Sequence, residues 1–245
     1  GDFAFSSDLH AENMLWGATL RSPHPYARIV SIDVSGAWKI AGVECVITAE
    51  DVPGQLTYGL ISEDQPVFAK DVVRYMGEPI AAVAADHPET CRRALAAIHV
   101  VYEVLTPLTN PEHAIDDSHE SIHPDGNIIR RQRIVHGDAN ATAPIVVEGT
   151  YDIGMQDQAF LGTESALAIP DHDGAGVEVF VATQWLHEDR KQTDSRNSNL
   201  RLIDCLIATI SYPLEHKSAG SYCHGSKNDE GISADTRIKF RSEHF

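Results

Sequence analysis

The stretch that most restricts the fold is residues 77–103, "GEPIAAVAADHPETCRRALAAIHVVYE". Ile80 to Ala85 is a short run of small apolar residues, which suits a strand covered on both faces. Asp86 followed by Glu89 predicts a capping box, with Pro88 in the first turn of a helix. Cys91, Ala94, Leu95 and Ile98 then recur at i, i+3, i+4 and i+7, one stripe along that helix. "VVYEVL" follows as a returning strand. Units of this kind hold phosphates when glycines at the first turn let backbone N–H groups reach the anion. No glycine occurs between Gly77 and Gly126, so the unit is read as scaffold.

The residues before it follow a related scheme. Met14 to Leu20 reads as a strand, and Ile29 to Val34 as a second one with Val30, Ile32 and Val34 on one face. Ser35 is placed to cap a short helix and Gly42 to end it. "VECVIT" is a third strand and "AEDVPG" a turn. Residues 106–145 differ: prolines, histidines and acids predict a long surface connection, with one helical turn near Glu112–Ile115. A β-rich region follows, with strands expected in "IVVEGTYDI", "SALAIP" and "VEVFVATQ" and a turn at "PDHDGAG". Leu202, Ile203, Leu206, Ile207 and Ile210 are spaced for a helix face, and the polar Gly/Ser-rich stretch after them predicts loose packing.

Charge sorts the functional classes. The net charge is −17, which repels phosphate backbones and argues against a nucleic-acid partner. The imbalance lies wholly in residues 1–192, with 12 basic and 29 acidic residues, whereas residues 193–245 carry 7 of each. Serine shifts at the same point, so the chain changes character near Gln192. No apolar run is long enough for a membrane span, and "GDFAFSSDLH" lacks the features of a signal peptide. Cys45, Cys91, Cys205 and Cys223 form no CxxC pair and read as reduced thiols of a cytoplasmic protein.

Motifs for self-contained chemistry are missing. The 13 histidines form no HExxH or His/Cys ladder; Cys205, His216, Cys223 and His224 read as surface residues rather than a zinc site. There is no GxSxG elbow. Asp157 and Glu164 read as ordinary carboxylates rather than an acid–base pair. "IIRRQR" at 128–133 is the one basic cluster and reads as a solvated face. Gln184 ends the apolar strand "VEVFVATQ", a position from which a polar side chain can reach a site.

Three segments together carry a family resemblance: "LRSPHPYARIVSIDVSGAWKIAGVECVITAEDVPG", "PVFAKDVVRYMGEPIAAVAADHPETCRRALAAIHVVYE" and "EGTYDIGMQDQAFLGTESALAIP…VFVATQ". Over residues 1–192 the chain resembles the molybdenum-binding subunit of xanthine dehydrogenases and aldehyde oxidases. The resemblance implies an α+β fold: a hammerhead domain at 1–110, a surface linker at 111–139, and the start of a molybdopterin-binding domain at 140–192. It implies hydroxylation of a carbon next to nitrogen in a purine or other heterocycle, or of an aldehyde carbon, with oxygen from water. The cofactors implied are molybdopterin, with 2Fe–2S clusters and FAD on partner subunits. "ATQ" matches the family's "STQ"-type motif, which makes Gln184 similar to the glutamine that hydrogen-bonds a molybdenum oxo ligand. In "QDQAFLGTE", Gln158 and Gly162 stand where the family has His and Glu. The family's Gly-Gly-Phe-Gly loop and its C-terminal glutamate base have no counterpart, and residues 193–245 do not align. A truncated, frame-shifted or rearranged product and a true variant tail both account for this. The expectation is an inactive piece of such an enzyme, or a module that docks on iron–sulfur or flavin subunits.

Overall fold

The computed structural model describes residues 4–52, 54–59, 62–116, 121–128, 130–138, 140–154, 165–171, 176–183, 185–187, 190 and 237–242. These form two compact units: residues 1–106 with 162–245, and residues 107–161.

In the first unit the strands are β1 (Trp16–Arg21), β2 (Ala27–Asp33), β3 (Val43–Thr48), β4 (Thr57–Tyr58), β5 (Gln65–Pro66), β6 (Val72–Val73), β7 (Pro79–Ala85) and β8 (His99–Val104). Helix α1 (Pro88–Ala96) connects β7 to β8. The sheets run β1-β7-β3, β6-β2-β8 and β4-β5, and every pair in them is antiparallel. The strands flanking α1 therefore lie in different sheets, and α1 is no parallel crossover.

Strand β7 is paired along both edges and covered on both faces, as its small apolar residues predict. Ala81 and Val83 pack with Ala37, Val46, Ala94 and Ile98 on the α1 side. Ala82 and Ala84 face Cys45, Ile47, Val52 and Phe68. Ile80 packs with Ala27, Ala69 and Val73. Small side chains at 81, 82, 84 and 85 let helix and strands approach closely, at the density of a protein interior.

Sequence expectation and structure differ by single residues at three points. The N-cap of α1 is His87, whose Nδ1 accepts from Glu89 N at 3.1 Å; it is not Asp86. Pro88 takes the first helical position, which leaves His87 as the half-in residue. Asp86 instead faces Gly42, where φ is +90° and a Cβ would lie 2.4 Å from the carboxylate. Ser35 does not cap the 3₁₀ turn Ala37–Lys39, whose N-cap is Gly36; its N–H bonds to Asp33. In β2 a register shift between Ile29 and Ser31 breaks the alternation. Val30 turns outward at 61% exposure, while Ile32 and Val34 pack inward as expected.

The "GEP" turn fastens β7 to β1. Gly77, at φ +90°, donates its N–H to Ser22 O at 2.8 Å, and Ser22 N donates to Glu78 O at 2.9 Å. The Glu78 side chain is 1% exposed and accepts from Arg74 N. At an exposed edge, Arg28 and Glu103 pair across β2 and β8 at 2.6 Å, a contact worth at most about 1 kcal/mol.

The first unit also holds β9 (Ala166–Pro170), β10 (Gly176–Val181) and β11 (Arg237–Ser242). β10 is central, antiparallel to β9 and parallel to β11. Strand β11 lies in the tail that the sequence marks as loose, so regular structure reappears there. The expected helix face at 202–210 lies outside the described residues. Leu167, Ala168, Val177 and Val179 form a small core under Leu9, Ala11 and Met14. The Ser6 hydroxyl donates to Ser165 O at 3.1 Å. Ser6, Leu9, Ala11 and Met14 are thus built into the β9–β10 layer.

In the second unit the expected helical turn is α2 (Pro111–Ala114), capped by Asn110, whose Oδ1 accepts from Glu112 N at 2.8 Å. The strand expected in "IVVEGTYDI" does not form: residues 146–154 have no regular structure and no ladder partner among the described residues. A period-2 pattern supplies one face for burial, but a strand needs a neighbour to bond with.

Two substitutions test this packing. Ile80→Ala should lower unfolding free energy by about 2–5 kcal/mol in urea titration, since the side chain is fully buried. Glu78→Ala should cost about 1–3 kcal/mol by stranding the Arg74 N–H, with Glu78→Gln recovering part of it.

Candidate functional site

The region that sequence singles out is the end of β10. Gln184 lies three residues past Val181 and outside the described residues. Its neighbours are defined. Ala182 N donates to Ser165 O at 3.2 Å, so the strand end is held beside the start of β9. Trp185 N donates to Thr183 Oγ1 at 2.9 Å. Ser165 and Ser6 hydroxyls lie 2.6 Å apart at the same end of the layer. These contacts fasten the strand end to the N-terminal segment, and Trp185 stands exposed beyond it.

Asp157, Gln158, Gly162, Glu164, Cys205, His216, Cys223 and His224 also lie outside the described residues. Among the described residues no group of three or more His, Cys, Asp or Glu side chains is placed to hold a metal ion. Arg130, Arg131 and Arg133 are exposed, as a solvated basic cluster should be.

One feature was not legible in sequence. A hollow of about 220 Å³ is lined by Val52, Leu56, Pro66, Phe68, Val72 and Arg74, among others. Lys70 stands at its rim, paired with Glu50 at 3.0 Å; that bond raises the Lys70 pKa above its ordinary value. The short β4–β5 hairpin makes one wall, and two-residue strands leave no periodic signal in sequence.

The two described cysteines are buried free thiols. Cys91 Sγ donates to Trp16 O at 2.9 Å, tying α1 to β1. Burial raises the Cys91 pKa, so the thiol is a packing group rather than a nucleophile. Burial also raises the Tyr102 pKa, against a lowering hydrogen bond to Ser22; its ring meets His24 edge-on at 4.9 Å.

A pterin cofactor would need a concave set of polar groups awaiting a ligand. The buried polar side chains among the described residues are Ser6, Ser22 and Glu78, and each has its partner inside the fold. None of these three groups is left to receive it, and Gln184, the residue the resemblance points to, lies outside the described residues.

Comparison with known proteins supplies what the geometry leaves open. Residues 1–106 match the family described as aldehyde oxidase and xanthine dehydrogenase, a/b hammerhead domain, and residues 122–196 match the molybdopterin cofactor-binding domain. The chain belongs to the aldehyde oxidase and xanthine dehydrogenase family. It corresponds to the N-terminal part of the molybdenum-binding subunit. It is 38% identical to a probable xanthine dehydrogenase subunit of Bacillus subtilis, over 78% of this chain and 26% of that one. It is 35% identical to the nicotinate dehydrogenase large molybdopterin subunit of Eubacterium barkeri, over 83% and 49%. Among solved structures, quinoline 2-oxidoreductase from Pseudomonas putida is similar at TM-score 0.68 and 29% identity, covering 84% of this chain and 27% of that one. The aldehyde oxidoreductase of Desulfovibrio gigas gives 0.67 and 26%, covering 74% and 22%. The chain thus spans about a fifth to a half of the length of these relatives. The α+β hammerhead expected from the resemblance is the fold observed. Among the described residues no helix is long and apolar enough to cross a membrane.

The thiol gives a pH prediction. Cys91 ionises later in the folded than in the unfolded chain, so the unfolded state binds fewer protons above the ordinary thiol pKa of about 8.5. Stability should therefore be fully present below that pH and fall as pH rises through it. Urea unfolding at a series of pH values should show the decline, and Cys91→Ala should flatten it.

Proposed function

We propose that this chain builds the N-terminal part of the molybdenum-binding subunit of a hydroxylase. Its substrate would be a purine or other N-heterocycle, or an aldehyde, with water as oxygen source. The observation that carries the reading is the tandem order of the two domain matches in one chain. The names of the relatives, which include xanthine and nicotinate dehydrogenases, support a heterocyclic substrate.

In this reading residues 1–110 are the hammerhead, 111–139 the connection, and 140–192 the opening of the cofactor domain. Gln184 would contact molybdopterin, the one such contact assigned to this chain. The rest of the cofactor's shell, with 2Fe–2S clusters and FAD, would come from other polypeptide. Cofactors of this kind do the difficult chemistry while protein positions and polarises.

A second reading is a non-catalytic module that docks on iron–sulfur or flavin subunits in the cytoplasm. It is favoured by the internal satisfaction of the buried polar side chains described above.

Metal analysis and assay test both. The purified chain should carry molybdenum far below one per chain and should not hydroxylate hypoxanthine, nicotinate or an aldehyde. A chain extended with the remainder of a relative's subunit, made in a host that supplies the cofactor, should gain molybdenum. Failure of the extended chain to do so would overturn the proposed function, and stoichiometric molybdenum with turnover in the short chain would overturn the incomplete site. Gln184→Ala should leave the short chain's stability within about 0.5 kcal/mol by thermal unfolding. In the extended chain it should lower molybdenum retention.

A further inference from the structure

Strand β10 is bonded along both edges, to β9 on one side and to β11 on the other. β9 stands just before it in sequence, whereas β11 comes from the tail, where charge and serine content change. The β11 sequence, "RIKFRS", alternates: Arg237, Lys239 and Arg241 take one set of positions, Ile238 and Phe240 the other. The pairing is parallel, with Ile238 level with Val177 and Phe240 level with Val179. Those two valines are the buried residues that β10 gives to the small core with Leu167 and Ala168. The three basic residues come level with Gly176, Glu178 and Phe180. A slip of one residue would bring basic positions level with both core valines, so the apolar pattern favours this one register.

Without β11 this sheet would be β9 and β10 alone, and two strands are marginal by themselves. One edge of β10 would also offer a row of unpaired N–H and C=O groups to any other strand. The six residues of β11 carry three positive charges and no acid, in a chain of charge −17, so the body of the protein attracts them. Basic residues on an edge strand also deter further strands from adding to it. We propose that residues 237–242 are a self-supplied edge strand that closes β10 against strand addition by other polypeptide. The contact is autoinhibitory: a strand arriving at β10 has to displace β11, because β9 holds the other edge. This closure requires no molybdenum site and stands whether or not one forms.

Hydrogen exchange of the full chain tests the closure. Ile238→Asp with Phe240→Asp should speed exchange of β10 amides at least ~10-fold and leave β7 amides unchanged, the second result showing that the hammerhead stays folded. A synthetic peptide of residues 235–244 should restore β10 protection in that variant and add none to the unaltered chain. Cysteine pairs test the register, in a background with Cys205 and Cys223 changed to Ser. Glu178→Cys with Lys239→Cys should form a disulfide within one chain on mild oxidation, and Glu178→Cys with Phe240→Cys should not. β10 amides that exchange equally in the unaltered chain and the variant would overturn the proposal. So would a peptide that protects both chains or neither, or disulfides that form between chains instead of within one.

Discussion

The sheets and helix between Trp16 and Val104 are arranged around one strand with no free side. Both edges of β7 are bonded, and both faces are covered. Burying a backbone on all sides requires that every N–H and C=O find a partner within the protein. The alanines of "IAAVAA" satisfy the steric half of that requirement, because they let α1 and the neighbouring layer approach. The strand ladders satisfy the polar half. The "GEP" turn then fixes where β7 starts, through Ser22 and Arg74.

The same logic accounts for the buried polar groups of this domain. Its buried carboxylate holds a backbone N–H, its buried thiol holds a backbone carbonyl, and its half-buried tyrosine hydroxyl meets Ser22. Groups so engaged are structural. The cofactor contact proposed for Gln184 would follow the second layer, where β10 ends against the β9 start and the N-terminal segment. That layer is small, and its core is four buried side chains covered in part by Leu9, Ala11 and Met14.

How much was readable before the structure depends on what each signal measures. The strand at 80–85 and the helix stripe at Cys91, Ala94 and Ile98 were legible because burial sets the pattern locally. The N-cap was misplaced by one residue because Asp86 is the better capping type, yet Pro88 fixes the helix start. The outward turn of Val30 was not legible, since a bulge is a property of two strands in register. The strand expected at 145–153 shows the same limit: its alternation is real, but forming it depends on a neighbour. Residues 155–164 and Gln184 lie outside the described set, so the family motifs there rest on sequence alone.

Sequence by itself determined the family, the strand–helix–strand core and the absence of a phosphate loop, because residue size and glycine placement are local constraints. Tertiary structure decided the rest. It put β7 and β8 in separate antiparallel sheets, sent Asp86 to Gly42 instead of to the helix, and built the N-terminal residues into the β9–β10 layer. Each of these is a choice among partners far apart in the chain, and no short window of sequence encodes which partner closes the better-packed and fully bonded arrangement.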